Sequence, residues 1–130
     1  MSKLTDKQIA LLKGKNFANV AVIRPDGTPH VTPVWVDWDG ENVVLNFDQS
    51  RKKLDYIRRD PRVSVEVFDL DNPYEYVSVT GHAETTIEGA NEHINALSHK
   101  YHGQDRDYPL QPGDQRVIVR VKPERVIASR

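Results

Sequence analysis

Six basic side chains crowd one short stretch: Arg51, Lys52, Lys53, Arg58, Arg59 and Arg62. On a helix, Arg51 and Arg58 fall near one azimuth and Lys53 lies elsewhere, so the six cannot share a surface. The cluster begins behind Ser50, a residue suited to cap a helix start. Free N–H groups and the helix dipole at such a start already favour an anion. Charge-assisted bonds from Arg51 and Lys53, with the Ser50 hydroxyl, would make a phosphate cradle there. The competing reading is a solvated basic face paired with Asp55 and Asp60.

The remaining chemistry is sparse. His99 and His102 stand three apart on an expected helix and form a candidate metal pair, but no third ligand adjoins them in sequence, and a solvated face is the plainer reading. His30 and His82 fall in expected strands, where they can line a cavity, and carry no assigned role. No GxSxG, P-loop, GxGxxG or HExxH pattern occurs. The chain has no cysteine, which removes thiolate nucleophiles, disulfides and cysteine metal sites. No residue is assigned as a catalytic acid or base, and no metal is expected.

The elements that must position these groups follow from periodicity. Residues 5–14 predict a short helix with Thr5 and Gln8 as a capping box, Ile9 and Leu12 on one face, and Gly14 as its stop. Strands are expected at 17–24, 30–38 and 42–48, joined by the turns Pro25-Asp26-Gly27-Thr28 and Asp39-Gly40 as a three-stranded meander. Along 30–38, Val31, Pro33 and Trp35 point one way and Thr32, Val34, Val36 and Trp38 the other. Both faces are largely apolar, which predicts burial on both sides. Pro33 donates no backbone hydrogen bond and places this strand at an edge or bulge, either to protect the edge or to leave backbone groups for a ligand.

A helix over 51–59 turns Leu54 and Ile57 inward and ends before Pro61. Strands follow at 62–69, with Val63, Val65 and Val67 on one face, and at 76–86. A longer helix over 88–102 buries Ala90, Ile94, Leu97 and Tyr101 and stops at Gly103. A final strand covers 116–122, and 123–130 extends along an edge. Six antiparallel strands with two to three flanking helices predict a mainly β, α+β, Greek-key-like barrel.

Bulk composition narrows the partners. The length of 130 residues fits one domain over 1–130. Eighteen Lys and Arg balance 19 Asp and Glu for a formal net charge of -1, which argues against nucleic-acid binding through general positive charge. No segment approaches the roughly 18 consecutive apolar residues of a membrane span. The N-terminal residues lack the apolar run of an export signal, so a cytoplasmic location is expected.

Three segments together, PDGTPHVTPVWVDWDG, NFDQSRKKLDYIRRDPRVSVEVFD and NPYEYVSVTGHAE, resemble the pyridoxamine 5′-phosphate oxidase-like split barrels, and most of all their small actinobacterial branch dependent on the deazaflavin coenzyme F420. The similarity spans roughly residues 5–128. It implies a split β-barrel of the FMN-binding type and a homodimer with two cofactor sites at the subunit interface. By motif match, Thr32, Pro33, Val34 and Trp35, with Asn46 and Phe47, would line the ring system. Arg51 and Lys53 would hold the phosphate, and Tyr76 would shape the ring pocket. Position 56, where relatives often carry asparagine, is Tyr56. The implied activity is hydride transfer from reduced coenzyme F420 to a small electron-poor acceptor, such as a tetrapyrrole, a quinone or a nitroaromatic. The alternatives are an FMN-dependent enzyme, or a non-catalytic binder of a cofactor, haem or fatty acid.

Overall fold

A computed structural model describes residues 3–129. Helix α1 (Asp6–Lys13) starts with the expected capping box: Gln8 donates its backbone N–H to Thr5 Oγ1, and the Thr5 N–H donates to Gln8 Oε1. Strand β1 (Ala18–Ile23) alternates strictly, burying Ala18, Val20 and Val22. It is followed by β2 (Pro29–Val34), the two-residue β3 (Asp37–Trp38) and β4 (Val43–Asp48). Helix α2 (Lys52–Arg59) turns Leu54 and Ile57 into the core, each contributing about 1.5–3 kcal/mol by burial. Strands β5 (Arg62–Phe68) and β6 (Tyr76–Thr86), helix α3 (Ala90–His102), and strands β7 (Arg116–Val121) and β8 (Arg125–Ala128) complete the described chain.

All pairings are antiparallel, in the order β2-β1-β5-β6-β7-β4-β3, with β8 also on β6. β2 and β3 end this order at opposite extremes, yet only Trp35 and Val36 separate them in sequence. The sheet must therefore curl until its two ends meet, which makes a split barrel of α+β class. β6 bridges the halves, pairing with β8 through 77–80 and with β7 through 83–86. Gly81 sits at that change of partner, where a Cβ would stand 2.1 Å from the Lys122 carbonyl oxygen.

The curl corrects three expectations. The expected strand over 30–38 is two strands at opposite ends of the sheet, so 17–48 is a hairpin followed by a crossing and not a meander. Among the described residues eight strands replace six, because β3 and β8 separate as short strands of their own. Within the single chain, burial on both faces belongs to β4 and β7, not to β2. β4 is buried from Val43 to Phe47, sandwiched between the barrel core and α3, whereas edge strand β2 leaves Val31 58 % exposed. Pro33 on β2 is paired only to Asn19, as an edge proline should be.

The crossing at Trp35 and Val36 is held from α3. Tyr101 Oη accepts the Val36 N–H at 3.1 Å and donates to the Asn16 carbonyl at 2.6 Å. Lys100 Nζ donates to the carbonyls of Leu12 and Val36. No helix among the described residues is long and apolar enough to cross a membrane.

Candidate functional site

β2, β4, α2, α3 and β7 converge on a cleft of about 520 Å³. Its apolar part is formed by Phe17, Pro33, Val34, Trp35, Phe47 and Ile94. Thr32, Asn46, Asp48, Arg51, Lys53, Tyr108 and Arg116 supply polar groups. The cleft continues into a wider, more polar one of about 890 Å³ that shares Thr32, Asp48, Arg51, Lys53, Tyr108 and Arg116 and adds His30, Ser50, Lys52 and Asp114. The first cleft thus has apolar walls that the second lacks, and both share the cations Arg51, Lys53 and Arg116.

Trp35 owes its pose to the crossing that carries it. Its ring stacks on Tyr101 at 5.1 Å with an interplanar angle of 8°, and Tyr101 stacks in turn on Phe17 at 5.6 Å. Tyr108 and His102 meet the Trp35 ring edge-on. Offset and edge-on contacts of this kind fix ring planes as well as burying area.

Lys53, in the first turn of α2, reaches across the cleft. Its ammonium donates to Thr32 Oγ1 at 3.1 Å and lies 4.3 Å from the Phe47 ring centroid. Burial lowers its pKa, and the charge of Arg51 lowers it further. Among the described residues no carboxylate forms an ion pair with either Lys53 or Arg51. Asp48, which also lines the cleft, is engaged by the Ser50 N–H and hydroxyl, and those two bonds are the main reason its pKa is lowered.

Ser50 therefore departs from its expected part. Arg51, not Ser50, occupies the cap position of α2, and no side chain caps that helix. The Ser50 hydroxyl donates its proton to Asp48 Oδ1 at 2.6 Å, a local side-chain bond formed outside the helix start. Ser50 still lines the polar cleft. Of the other residues singled out by sequence, Thr32, Pro33, Val34, Trp35, Asn46, Phe47, Arg51 and Lys53 are brought together in the first cleft. Tyr76 is not among its lining. It starts β6 opposite Phe68 and is tied through its backbone to Ser129. Tyr56 also lies off the cleft, with its ring edge-on to His30.

The histidines separate by location. His99 Nε2 pairs with Asp107 at 2.6 Å, while His102 faces Trp35, so the two do not act as a pair. His82 is bonded to Glu124 on the surface. His30 lines the polar cleft.

Sequence reasoning missed Arg116, Tyr108 and His93. Arg116 is only 8 % exposed and donates to Asn46 Oδ1 at 2.9 Å and to Tyr108 Oη at 3.2 Å. Asn46 in turn donates from Nδ2 to the Ala90 carbonyl at 2.9 Å and lies 3.0 Å from His93 Nδ1. The available signal was a cation heading the otherwise apolar run Val117-Ile118-Val119.

Trp35 and Phe47 thus share a cleft with the cations Arg51 and Lys53. Residues 4–130 match the sequence profile of the pyridoxamine 5′-phosphate oxidase family. A solved structure of an F420 reductase is 31 % identical over 95 % of this chain and 98 % of that one, with a TM-score of 0.82. A conserved hypothetical protein from Mycobacterium tuberculosis is 27 % identical, with 97 % of this chain and 82 % of that one covered and a TM-score of 0.71. HupZ of Group A Streptococcus, 19 % identical over 97 % of this chain and 94 % of that one, shares the fold at a TM-score of 0.70.

Proposed function

The chain belongs to the pyridoxamine 5′-phosphate oxidase family, and from that premise we propose that it is an oxidoreductase dependent on coenzyme F420, reducing a small electron-poor acceptor. The observation that carries this reading is the join of a flat apolar cleft to a cationic one at Lys53, which together suit a ring system bearing a phosphate. The 31 % identity to an F420 reductase favours the deazaflavin over FMN. FMN, with the same ring outline and a phosphate at a similar reach, is the second reading.

When bound, the cofactor supplies the hydride chemistry, and the protein supplies orientation and shielding. Trp35, Val34 and Phe47 would flank the ring and keep water from its face. Arg51 and Lys53 would hold the phosphate through charge-assisted bonds, with the Lys53 ammonium steadied by its bond to Thr32. Edge strand β2, with Val31 58 % exposed and Pro33 exposed, and Phe17, 51 % exposed just before β1, offer an apolar face beside the cleft that a second copy would cover. The homodimer is proposed on that basis.

The test is turnover. Purified protein with reduced coenzyme F420 should oxidise it in the presence of a tetrapyrrole, quinone or nitroaromatic acceptor, followed by recovery of the oxidised cofactor's visible absorbance. Turnover with reduced FMN alone would move the protein to the second reading. Binding of either cofactor without turnover on any acceptor would make it a carrier.

A further inference from the structure

We infer that Arg116 is a second ligand-binding centre of this cleft, one that takes the acceptor edge of the bound ring and is separate from the phosphate centre at Arg51 and Lys53. This rests on the ring-and-phosphate reading of the cleft.

Arg116 is buried, yet every hydrogen-bond partner found for it among the described residues is neutral. Its Nε donates to Asn46 Oδ1 at 2.9 Å, Nη2 to the Asn46 carbonyl at 3.4 Å and Nη1 to Tyr108 Oη at 3.2 Å. The guanidinium carbon lies 4.8 Å from the centroid of the Tyr108 ring. Among the described residues no carboxylate forms an ion pair with it, and Asp48, its register partner on β4, is taken up by Ser50. Asp48 acts on Arg116 through space without touching it, and a buried cation with no direct ion pair is costly to keep, so a ligand that brings negative charge or strong acceptors offsets the cost.

The guanidinium is also fixed in place. Both hydrogens of Asn46 Nδ2 are directed elsewhere, to the Ala90 carbonyl and to His93 Nδ1, so Oδ1 must face Arg116. Burial is the largest influence on His93 and favours its neutral form, which keeps a lone pair available for Asn46. With three of its five N–H donors used, Arg116 retains one on each terminal nitrogen, a planar fork suited to two acceptors in one plane.

Its location favours the ring over the phosphate. Arg116 lines both clefts, but it is buried and bonded to Asn46, which lines only the apolar one, whereas Arg51 is exposed between Ser50 and Lys52, which line only the polar one. The ligand class is therefore a planar heteroaromatic with a carbonyl-rich or deprotonated imide edge, and its more anionic form is held more tightly. Flavin and deazaflavin rings both carry such an edge, so Arg116 does not choose between them.

The experiment compares matched ligands with and without phosphate: FMN with riboflavin, and coenzyme F420 with its phosphate-free deazaflavin riboside. Dissociation constants for wild type, R116Q and K53A are read from Trp35 fluorescence. The expected result is that R116Q weakens both members of a pair by about tenfold or more and by a similar factor, while K53A weakens the phosphorylated member by a clearly larger factor than its phosphate-free partner. Where R116Q melts too low to titrate, R116K keeps the charge but not the fork, and should also weaken the phosphate-free ring. Two results overturn the inference alone. One is loss confined to the phosphorylated member in R116Q, which makes Arg116 a third phosphate ligand; the other is affinity equal to wild type. If wild type binds none of the four, the ring-and-phosphate reading fails and Arg116 with it.

Discussion

The Lys53 ammonium lies 3.1 Å from the Thr32 hydroxyl and 4.3 Å from the Phe47 ring centroid, so a helix start, an edge strand and a central strand meet at one charge. That charge is half-buried, and no ion-pair partner is found for it among the described residues. K53A should weaken phosphorylated cofactors by tenfold or more, about 1.4 kcal/mol or above. T32A, which removes only the positioning bond, should cost less. Fluorescence titration at two ionic strengths checks both, and the gap between K53A and wild type should narrow as salt rises.

The crossing of the chain between the two ends of the sheet depends on a hydroxyl. Desolvation pushes the Tyr101 pKa up to about 12, so the phenol remains protonated while it accepts the Val36 N–H and donates to Asn16. Y101F leaves that N–H buried without a partner and should destabilise the fold by about 1–3 kcal/mol. Urea unfolding should show a lower midpoint at unchanged slope.

His93 makes stability depend on pH in a window above that of the carboxylates. Burial lowers its pKa below the ordinary 6.5, Arg120 adds to the lowering, and Asp37 and Asp39 oppose it. Below about pH 6.5 the unfolded chain takes up a proton that the native protein resists. The stabilisation is therefore complete above that pH and is lost as pH falls through it. Denaturation at about pH 7.5 and about pH 5.5 should show wild type losing stability at the lower pH, and H93Q losing clearly less.

Gly81 is required by space. A Cβ there would stand 2.1 Å from the Lys122 carbonyl oxygen, and a backbone atom cannot swing away. G81A should cost about 2 kcal/mol or more by forcing β6 from the chain beside it. Thermal melting reads the loss directly.

Local patterns carried much of the fold. The alternation of Val63, Val65 and Val67, the inward pair Leu54 and Ile57, and the Thr5–Gln8 box all depend on near neighbours, and each lies where periodicity places it. The break at Trp35 and Val36 does not depend on neighbours. It is decided by Lys100 and Tyr101, more than sixty residues away in sequence, so 30–38 reads as one strand until α3 is in place. Ser50 shows a local contest resolved the other way, with Asp48 drawing its hydroxyl from the helix start. Most of the cleft was legible through segments that resemble a known family. Arg116 and Tyr108 were not, because their roles arise only when β7 pairs with β4 and the 103–115 loop folds over Trp35.

The central claim is that the joined clefts hold a deazaflavin ring and its phosphate. Its most direct measurement is equilibrium binding of coenzyme F420 and of FMN to the same protein, followed by Trp35 quenching. The account predicts micromolar or tighter binding of coenzyme F420, tighter than FMN, with Trp35 quenched as the ring docks beside it. Tighter binding of FMN would contradict the choice of cofactor, and absence of binding by both would contradict the site.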